Sequence, residues 1–169
     1  MNISSKPKLL IVGMTNVGKS SLFNYLSRKR IAIVSEFPRT TVDSIHNIVQ
    51  INGEEWDIID SAGFEKANLK EEIYIKSIKR VEAELEIADF ILFIVNSQAR
   101  ISDKERELSK LLKKTKKKVI LVINKVDSSN YLSSMSEYAA LGIPDRIEIS
   151  LKNRINLDKL KELISENYP

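Results

Sequence analysis

The sequence of 169 residues has no cysteine, one histidine, five glycines and four prolines. The absence of cysteine excludes disulfide bonds and thiolate-bound metals, and it is typical of a reducing compartment. The single histidine, His46, excludes a metal site made of several imidazoles. No apolar run approaches the roughly 20 residues that a membrane helix needs, and the first residues lack the apolar segment of a secretory signal. We therefore expect a cytoplasmic protein with no membrane contact.

Neither sign of charge dominates the sequence. It contains 27 Lys and Arg against 23 Asp and Glu, which gives a net charge of +4, and 43% of the residues are hydrophobic. This balance suits one domain with a sizeable core. The densest basic run is KKTKKK, at 113–118. Two interpretations of that run stay open: a solvated helix end, where cations suit the helix dipole, and a contact with RNA phosphates.

Short apolar runs typical of strands alternate with helical patterns. Strands are predicted at 9–12, 45–51, 56–59, 90–95, 119–123 and 147–149, and helices from 19 onwards and at 71–85, 102–113, 135–141 and 157–165. This alternation predicts an α/β fold, with a mostly parallel sheet of about six strands and helices on both faces. Ser102 followed by Glu105 predicts a capping box at the start of the third helix.

One connection breaks the alternation of strands and helices. Asn52-Gly53 lies between two strand-like runs, which is a strong signal for a tight hairpin. The run at 45–51 should therefore be antiparallel to the next strand and lie at the edge of the sheet. His46, near the start of this edge strand, is expected to be solvated.

The segment GMTNVGKS, at 13–20, follows a strand and opens a helix. It matches G-x-x-x-x-G-K-[ST], a loop whose N–H groups surround phosphates. Its two glycines let the backbone approach a ligand closely, and the helix N-terminus favours an anion. Lys19 can reach the outer phosphates, and the Ser20 hydroxyl can ligate Mg²⁺. The predicted nucleotide contacts here are Gly13, Thr15, Asn16, Val17, Gly18, Lys19, Ser20 and Ser21.

The sequence NKVD, at 124–127, indicates which base the site accepts. The Asp127 carboxylate can accept hydrogen bonds from N1–H and the 2-amino group of guanine. Adenine lacks both donors, so a buried carboxylate would lose its partners. Lys125 can lay its aliphatic stem over the base, and Asn124 can brace the loop. The sequence therefore predicts GTP and GDP as ligands and disfavours a P-loop ATPase.

Two further segments predict the groups that act at the γ-phosphate. In DSAG, Asp60 can hold Mg²⁺ through a water molecule, and the Gly63 N–H can meet the γ-phosphate. Release of that contact after hydrolysis would make the following segment a switch. In FPRTTVDS, Thr41 is preferred over Thr40 as the residue that completes the Mg²⁺ shell when GTP is bound.

These segments resemble translation-factor-type GTPases, and in particular the first GTPase domain of the Der (EngA) family. The resemblance runs through LLIVGMTNVGKSSLFNYL, IAIVSEFPRTTVDS, ADFILFIVNSQARISDKERELSKLL and LGIPDRIEIS. It implies a P-loop GTPase fold over 1–169, as part of a longer protein with a sister GTPase domain and a KH-like domain. It also implies a GTP-hydrolysing switch in assembly of the large ribosomal subunit, with ribosomal RNA or ribosomal proteins as partners. We expect a monomer. Era and MnmE are similar, and an Era- or MnmE-like GTPase acting on other RNA stays open.

The resemblance also implies chemistry at particular residues. Asn16 would coordinate a K⁺ ion beside the phosphates, and the charge of this ion would stabilise the transition state. The alternative, that Asn16 only shapes the loop, stays open. The catalytic group would then comprise Lys19, Asn16, Thr41 and Gly63. The guanine-supporting segment of the family corresponds to Ser150, Leu151 and Lys152. Phe64 takes the place of the glutamine that orients water in many GTPases, which implies slow intrinsic turnover.

Some residues depart from the family pattern P-G-x-T-R-D in the first switch. Arg39 replaces the glycine and Val42 replaces the arginine. Leu151 is also bulkier than the alanine that is usual in the guanine-supporting segment. Arg39, Val42 and Phe64 support a second hypothesis, in which the chain is a regulatory module that binds the nucleotide and has negligible hydrolysis.

Overall fold

Strands and helices alternate through residues 6–14, 16–34, 45–61, 71–127 and 135–169, which the computed structural model describes. The strands are β1 (Lys8–Gly13), β2 (Arg30–Val34), β3 (Ile45–Ile51), β4 (Glu54–Asp60), β5 (Phe90–Asn96), β6 (Lys118–Asn124) and β7 (Arg146–Glu148). The helices are α1 (Lys19–Leu26), α2 (Glu71–Ile87), α3 (Asp103–Lys114), α4 (Met135–Ala139) and α5 (Leu157–Glu166). The predicted α/β fold is confirmed.

The strands form one seven-stranded sheet in the order β2-β3-β4-β1-β5-β6-β7. From β4 to β7 every neighbouring pair is parallel. The carboxyl ends of these strands therefore meet at one edge of the sheet, where open α/β sheets bind their ligands. The predicted phosphate loop follows β1 at this edge, and the predicted base-recognition segment begins at the end of β6.

The sheet differs from the prediction at its antiparallel side. Strand β3 is antiparallel to β4, as expected, but it also pairs antiparallel with β2, which is the true edge strand. The prediction missed β2, Arg30–Val34, because this strand directly follows a 3₁₀ turn, Ser27–Lys29, at the end of α1. The sheet therefore has seven strands rather than about six, and the placement of β3 at the edge is wrong.

The additional strand also changes the surroundings of His46. In the register of the sheet, β2 places Val34 opposite His46 on one side, and β4 places Ile59 opposite it on the other. The His46 side chain is buried, and its Nδ1 lies 3.0 Å from Oδ1 of Asp57. The expectation of a solvated His46 is therefore wrong, because it assumed that β3 had an open edge.

Each face of the sheet has its own apolar layer, so the strands between them are buried on both sides. Along β1, Leu9 and Ile11 face the layer that contains α1 and α5. Leu10 and Val12 face the opposite layer, which contains α2 and α3. The expected helices on both faces are thus present, and the two layers hold the carboxyl ends of the strands in fixed positions.

Two local sequence signals have their expected structure. Asn52 and Gly53 both have positive φ, 49° and 88°, and join β3 to β4 in a tight hairpin. The Ser102 hydroxyl accepts a hydrogen bond from the Glu105 N–H, and the Glu105 carboxylate accepts one from the Ser102 N–H. This capping box begins α3. Among the described helices, none combines the length and the apolar character that crossing a bilayer requires.

Candidate functional site

Both glycines of the phosphate loop lie where another chain segment comes very close. A Cβ atom added at Gly13 would lie 2.7 Å from the carbonyl oxygen of Ile94 in β5. At Gly18, where φ is +98°, a Cβ atom would lie 2.3 Å from Nδ2 of Asn124. Real side chains do not tolerate such distances, so the loop needs glycine at both positions. The second contact joins the phosphate loop to the end of β6.

The turn from β1 into α1 presents backbone donors at a helix N-terminus. Gly18 is the N-cap of α1, and it has no side chain with which to cap the first turn. Val17 packs into the core, whereas the Ser20 side chain, in the first turn, is exposed. The first N–H groups of a helix have no intrahelical acceptor, so an uncapped first turn favours an anion.

Lys19 and Asp60 form a buried ion pair at the ends of neighbouring elements. The Lys19 ammonium lies 2.7 Å from Oδ1 of Asp60, and it also donates to the carbonyl oxygen of Ser61. The exposed fractions of the two side chains are 5% and 9%. Since β1 and β4 are adjacent and parallel, with Ile11 opposite Asp60, the pair lies at the carboxyl edge of the sheet.

The side-chain amide of Asn124 connects three segments at this edge. Its Nδ2 donates to the carbonyl oxygen of Val17 at 3.0 Å, and its Oδ1 accepts from the N–H of Leu151 at 3.2 Å. Its own carbonyl oxygen accepts from the N–H of Ser97, which follows β5. Asn124 is 3% exposed, so these contacts form away from bulk water. It therefore holds the phosphate loop against the segment that begins at Ser150.

Lys125 makes a second contact with the phosphate loop. Its Nζ donates to the carbonyl oxygen of Asn16 at 2.8 Å, so its aliphatic stem crosses from the end of β6 to the loop. Both residues have positive φ, 68° for Lys125 and 64° for Asn16. The side chain of Asn16 is exposed. Its backbone is thus fixed by a hydrogen bond while its amide faces outwards.

The carboxylate of Asp127 is held by two donors from the 150–153 turn. The Ser150 hydroxyl donates to Oδ1 at 2.5 Å, and Nδ2 of Asn153 donates to Oδ2 at 3.0 Å. The hydrogen bond from Ser150, which stabilises the ionised form, is the main reason why the pKa of Asp127 lies below its ordinary value. Asp127 is therefore a carboxylate at neutral pH and offers acceptors to a ligand.

These side chains surround an open cleft of about 760 Å³. The predicted residues that line it are Gly18, Ser21, Asn124, Lys125, Asp127, Leu151 and Lys152. Two lining residues, Gln98 and Asn153, were not predicted. The N–H of Gln98 donates to Oδ1 of Asn96, which fixes the turn after β5. Only the position of Gln98 just beyond a strand end signalled its place, and polar residues are common in such turns.

Three predicted site residues, Thr15, Thr41 and Gly63, lie outside the described residues. So do three residues on which the expectation of altered or slow turnover rested, Arg39, Val42 and Phe64. Of the remaining predicted residues, Ser150 is buried beneath the cleft and contacts Asp127, and Lys19 lies with Asp60 at the adjoining strand ends.

The donors at the phosphate end suit Mg²⁺. The exposed Ser20 hydroxyl and the Asp60 carboxylate are hard oxygen donors, which this cation prefers. Within the described part of the chain, no three His, Cys, Asp or Glu residues cluster closely enough to form a metal cage. A cation with so few protein ligands completes its shell with water and phosphate oxygens, as Mg²⁺ does in nucleotide sites.

Comparison with known proteins shows which protein family this chain resembles. The sequence pattern of the family described as 50S ribosome-binding GTPase matches residues 8–125. GTPase Der of Clostridium novyi is 36% identical over 165 residues, which is 97% of this chain and 37% of that protein. The chain therefore spans little more than a third of the length of this relative.

Solved structures show the same fold. An Era variant of Aquifex aeolicus bound to GDP and AlF₄⁻ has a TM-score of 0.74 and 27% identity, over 98% of this chain and 58% of that one. Era in complex with MgGDPNP and a segment of 16S ribosomal RNA has a TM-score of 0.70 and 25% identity, over 96% of this chain and 57% of that one. The arrangement of strand ends described above is thus shared with nucleotide-bound proteins.

Proposed function

Because the chain belongs to the 50S ribosome-binding GTPase family, we propose that its cleft binds GTP with Mg²⁺ and hydrolyses GTP to GDP and phosphate. One observation carries the proposal. The Asn124 amide joins the phosphate loop to the segment around Asp127, so a phosphate-binding end and a guanine-binding end belong to one rigid cleft. A nucleoside triphosphate is long enough to span both ends.

At the base end, the Asp127 carboxylate would accept from N1–H and the 2-amino group of guanine. Its lowered pKa keeps both oxygens available as acceptors at neutral pH. Adenine would leave that carboxylate facing a poor partner, which disfavours ATP. The Leu151 N–H donates to Oδ1 of Asn124, and this contact fixes the backbone of the Ser150–Lys152 segment, which would lie beside the base.

At the phosphate end, Lys19 and the first-turn N–H groups of α1 would bind the outer phosphates. Lys19 then exchanges its contact with Asp60 for phosphate oxygens, so the buried charge keeps an anionic partner throughout. Ser20 and Asp60 would hold Mg²⁺, Asp60 through water, with Thr41 as a further ligand in the GTP state. The ion supplies positive charge against that of the phosphates. Lys19 stabilises the charge that develops as water attacks the γ-phosphorus.

We further propose that a K⁺ ion assists hydrolysis through the side chain of Asn16. The hydrogen bond from Lys125 to the Asn16 carbonyl oxygen holds the backbone while the side-chain amide stays exposed. A fixed amide oxygen beside the phosphates is a suitable K⁺ ligand, and a cation there opposes transition-state charge. With Phe64 in place of glutamine and no partner present, we expect slow turnover, below about 1 s⁻¹.

The proposed biological role follows the family. We propose that residues 1–169 are one GTPase domain of a longer cytoplasmic protein with a second GTPase domain and a KH-like domain. The domain would act as a monomeric switch whose GTP form engages ribosomal RNA or proteins of the large subunit. The description of the family as 50S ribosome-binding supports this role. The 16S ribosomal RNA in the Era complex supports only ribosomal RNA as a class of partner.

A second function is favoured by Arg39 and Val42, which depart from the family pattern, and by Phe64, which stands in place of a glutamine. In this alternative the domain binds GTP and GDP as a regulatory module and has negligible hydrolysis. Binding and turnover separate the two functions, because the alternative predicts normal affinity without a measurable chemical step.

The deciding experiment is single-turnover GTP hydrolysis at matched ionic strength in KCl and in NaCl. We expect a rate several-fold higher in KCl for the wild type and no such increase for Asn16→Ala. Asn24→Ala, on the exposed surface of α1, is the matched control and should behave as wild type. Near-zero rates in both salts with tight GTP binding would favour the regulatory module, and equal affinity for ATP would contradict guanine recognition altogether.

A further inference from the structure

Asn153 contacts two polar residues at the base end of the cleft, Asp127 and Ser150. Its side-chain Nδ2 donates to Oδ2 of Asp127 at 3.0 Å, and its backbone N–H donates to the Ser150 hydroxyl oxygen at 3.0 Å. Ser150 in turn donates to Oδ1 of Asp127 at 2.5 Å. The three residues therefore close a hydrogen-bonded triangle in which each oxygen of the Asp127 carboxylate accepts from a side chain of the 150–153 turn.

The turn that carries Asn153 is itself fixed by the backbone. The N–H of Ser150 donates to the carbonyl oxygen of Ile155 at 3.2 Å, and the N–H of Ile155 returns a bond of 3.0 Å. Asn156 then donates from Nδ2 to the carbonyl oxygen of Glu148 at 2.7 Å. Asn153 lies inside this closed loop, so its amide reaches Asp127 from a defined position.

Acceptor counting shows what the triangle leaves available. A carboxylate has about four lone-pair sites, two on each oxygen. Ser150 uses one site on Oδ1 and Asn153 uses one site on Oδ2, so neither of these two donors fills its oxygen. Guanine presents two neighbouring donors on one edge, N1–H and the 2-amino group, which match one acceptor on each oxygen. The triangle therefore sets the rotation of the carboxylate without filling the sites that guanine needs.

We propose that Asn153 is a specificity-determining positioning residue that holds the Asp127 carboxylate ready for the two-donor edge of guanine. The inference rests on the proposed binding of guanine nucleotides in this cleft. Asp127 is half-buried in the turn after β6, and an aspartate held by Ser150 alone keeps more rotational freedom about its Cβ–Cγ bond. Fixing the second oxygen lowers the entropy that a bidentate contact must overcome.

The consequence is specific to the 2-amino group. Hypoxanthine has the same N1–H and O6 as guanine but lacks the 2-amino group, so IDP makes one bond to Asp127 where GDP makes two. Loss of the Asn153 donor should therefore weaken GDP much more than IDP. A residue that contacted O6, the ribose or the phosphates would affect both nucleotides equally.

The test is equilibrium binding of GDP, IDP and ADP with Mg²⁺ to wild type, Asn153→Ala and Asn153→Asp. For Asn153→Ala we expect the Kd for GDP to rise about fivefold and that for IDP to rise less than about twofold, so that the preference for GDP shrinks. Asn153→Asp keeps the shape but loses the donor and brings a like charge to Asp127, so its preference for GDP should fall further. Asn24→Ala is the matched control, and thermal melting of each variant checks folding.

Each outcome decides between defined alternatives. Equal weakening of GDP and IDP in Asn153→Ala would overturn the positioning role and indicate direct contact with the ligand. Tighter GDP binding would also overturn it, because Asn153 would then compete with guanine for Oδ2. A wild type that binds ADP as well as GDP would contradict the proposed function itself. A wild type that prefers GDP, with an unchanged Asn153→Ala, would contradict only the role of Asn153.

Discussion

The Lys19 ammonium lies 2.7 Å from a carboxylate oxygen of Asp60, and both side chains are almost fully buried. The two groups that are proposed to meet the phosphates and Mg²⁺ are thus already charge-paired with each other. An ion pair that is removed from water owes its stability to both members, since a single buried charge is strongly destabilising.

The pair predicts non-additive changes in stability. Lys19→Met and Asp60→Asn should each lower the free energy of unfolding by about 3 kcal/mol, because each removes one member of a buried ion pair. The double variant should lose clearly less than the sum, since no uncompensated charge remains. Urea unfolding of the four proteins measures the coupling. Simple additivity would mean that solvent or another group already neutralises each charge.

Gly18 and Gly53 provide a matched pair for the close approach of Asn124. Both have positive φ, 98° and 88°, but only at Gly18 would an added Cβ meet another residue within 4 Å. Gly53→Ala should therefore cost about 1–2 kcal/mol of stability, the backbone penalty alone. Gly18→Ala should cost more, because it also displaces the Asn124 amide from Val17. It should weaken GDP binding, whereas Gly53→Ala should leave binding unchanged. Equal effects of the two variants would contradict the close contact.

The hydrogen bond from Ser150 predicts how nucleotide affinity depends on pH. It lowers the pKa of Asp127, so the carboxylate stays ionised, and able to accept from guanine, to a lower pH than an unassisted aspartate. In Ser150→Ala the pKa should rise, and the loss of GDP affinity on acidification should begin at a higher pH than in the wild type. Calorimetric titrations at a series of pH values measure this shift. If GDP affinity fell at the same pH in Ser150→Ala and in the wild type, a group other than Asp127 would control the loss of affinity.

A groove of about 460 Å³ lies at the amino end of β6 and is lined in part by Lys113 and Lys116. Both lysines belong to the basic run at 113–118, so the groove is where RNA phosphates would bind if the RNA interpretation of that run holds. Two other lysines there have protein partners: Lys117 donates to the carbonyl oxygens of Leu85 and Glu86, and Lys118 pairs with Asp145 at 2.5 Å. The Lys113 and Lys116 side chains are exposed.

If RNA phosphates bind in this groove, Lys113→Glu/Lys116→Glu should weaken binding to a ribosomal RNA fragment and reduce its dependence on salt. The control is Lys76→Glu/Lys79→Glu on the exposed face of α2, which makes the same change in net charge. Binding is measured at several salt concentrations. An equal loss in both variants would indicate a general effect of net charge rather than a site.

The parts of the fold that the sequence predicted are those with a local cause. The hairpin at Asn52-Gly53 and the capping box at Ser102 each depend on residues within one turn. The alternation of apolar runs likewise reported the buried parallel strands. Strand β2 was missed because its pairing with β3 forms only in the folded chain, and the wrong environment of His46 followed from that one omission.

The site divides in the same way. The phosphate loop and NKVD are contiguous segments, so their positions at two strand ends could be predicted. Asn153 and Gln98 could not, because each is a polar residue in a turn with no periodicity. The contact of Asn153 with Asp127 and the place of Gln98 beside the cleft arise only in the tertiary structure. The ion pair between Lys19 and Asp60 likewise depends on the parallel register of β1 and β4.

The burial of Trp56 has a practical consequence for measurements of unfolding and of nucleotide binding. It is the only tryptophan, it is fully buried, and its ring meets that of Tyr168 edge-on with the centroids 5.2 Å apart. Trp56 lies four residues before Asp60 along β4, so it is about 13 Å away from the carboxyl edge of the sheet. Its fluorescence therefore reports whether the end of the domain away from the nucleotide cleft is folded. Unfolding and nucleotide occupancy can be followed in one cuvette, the first through indole emission and the second through a labelled nucleotide.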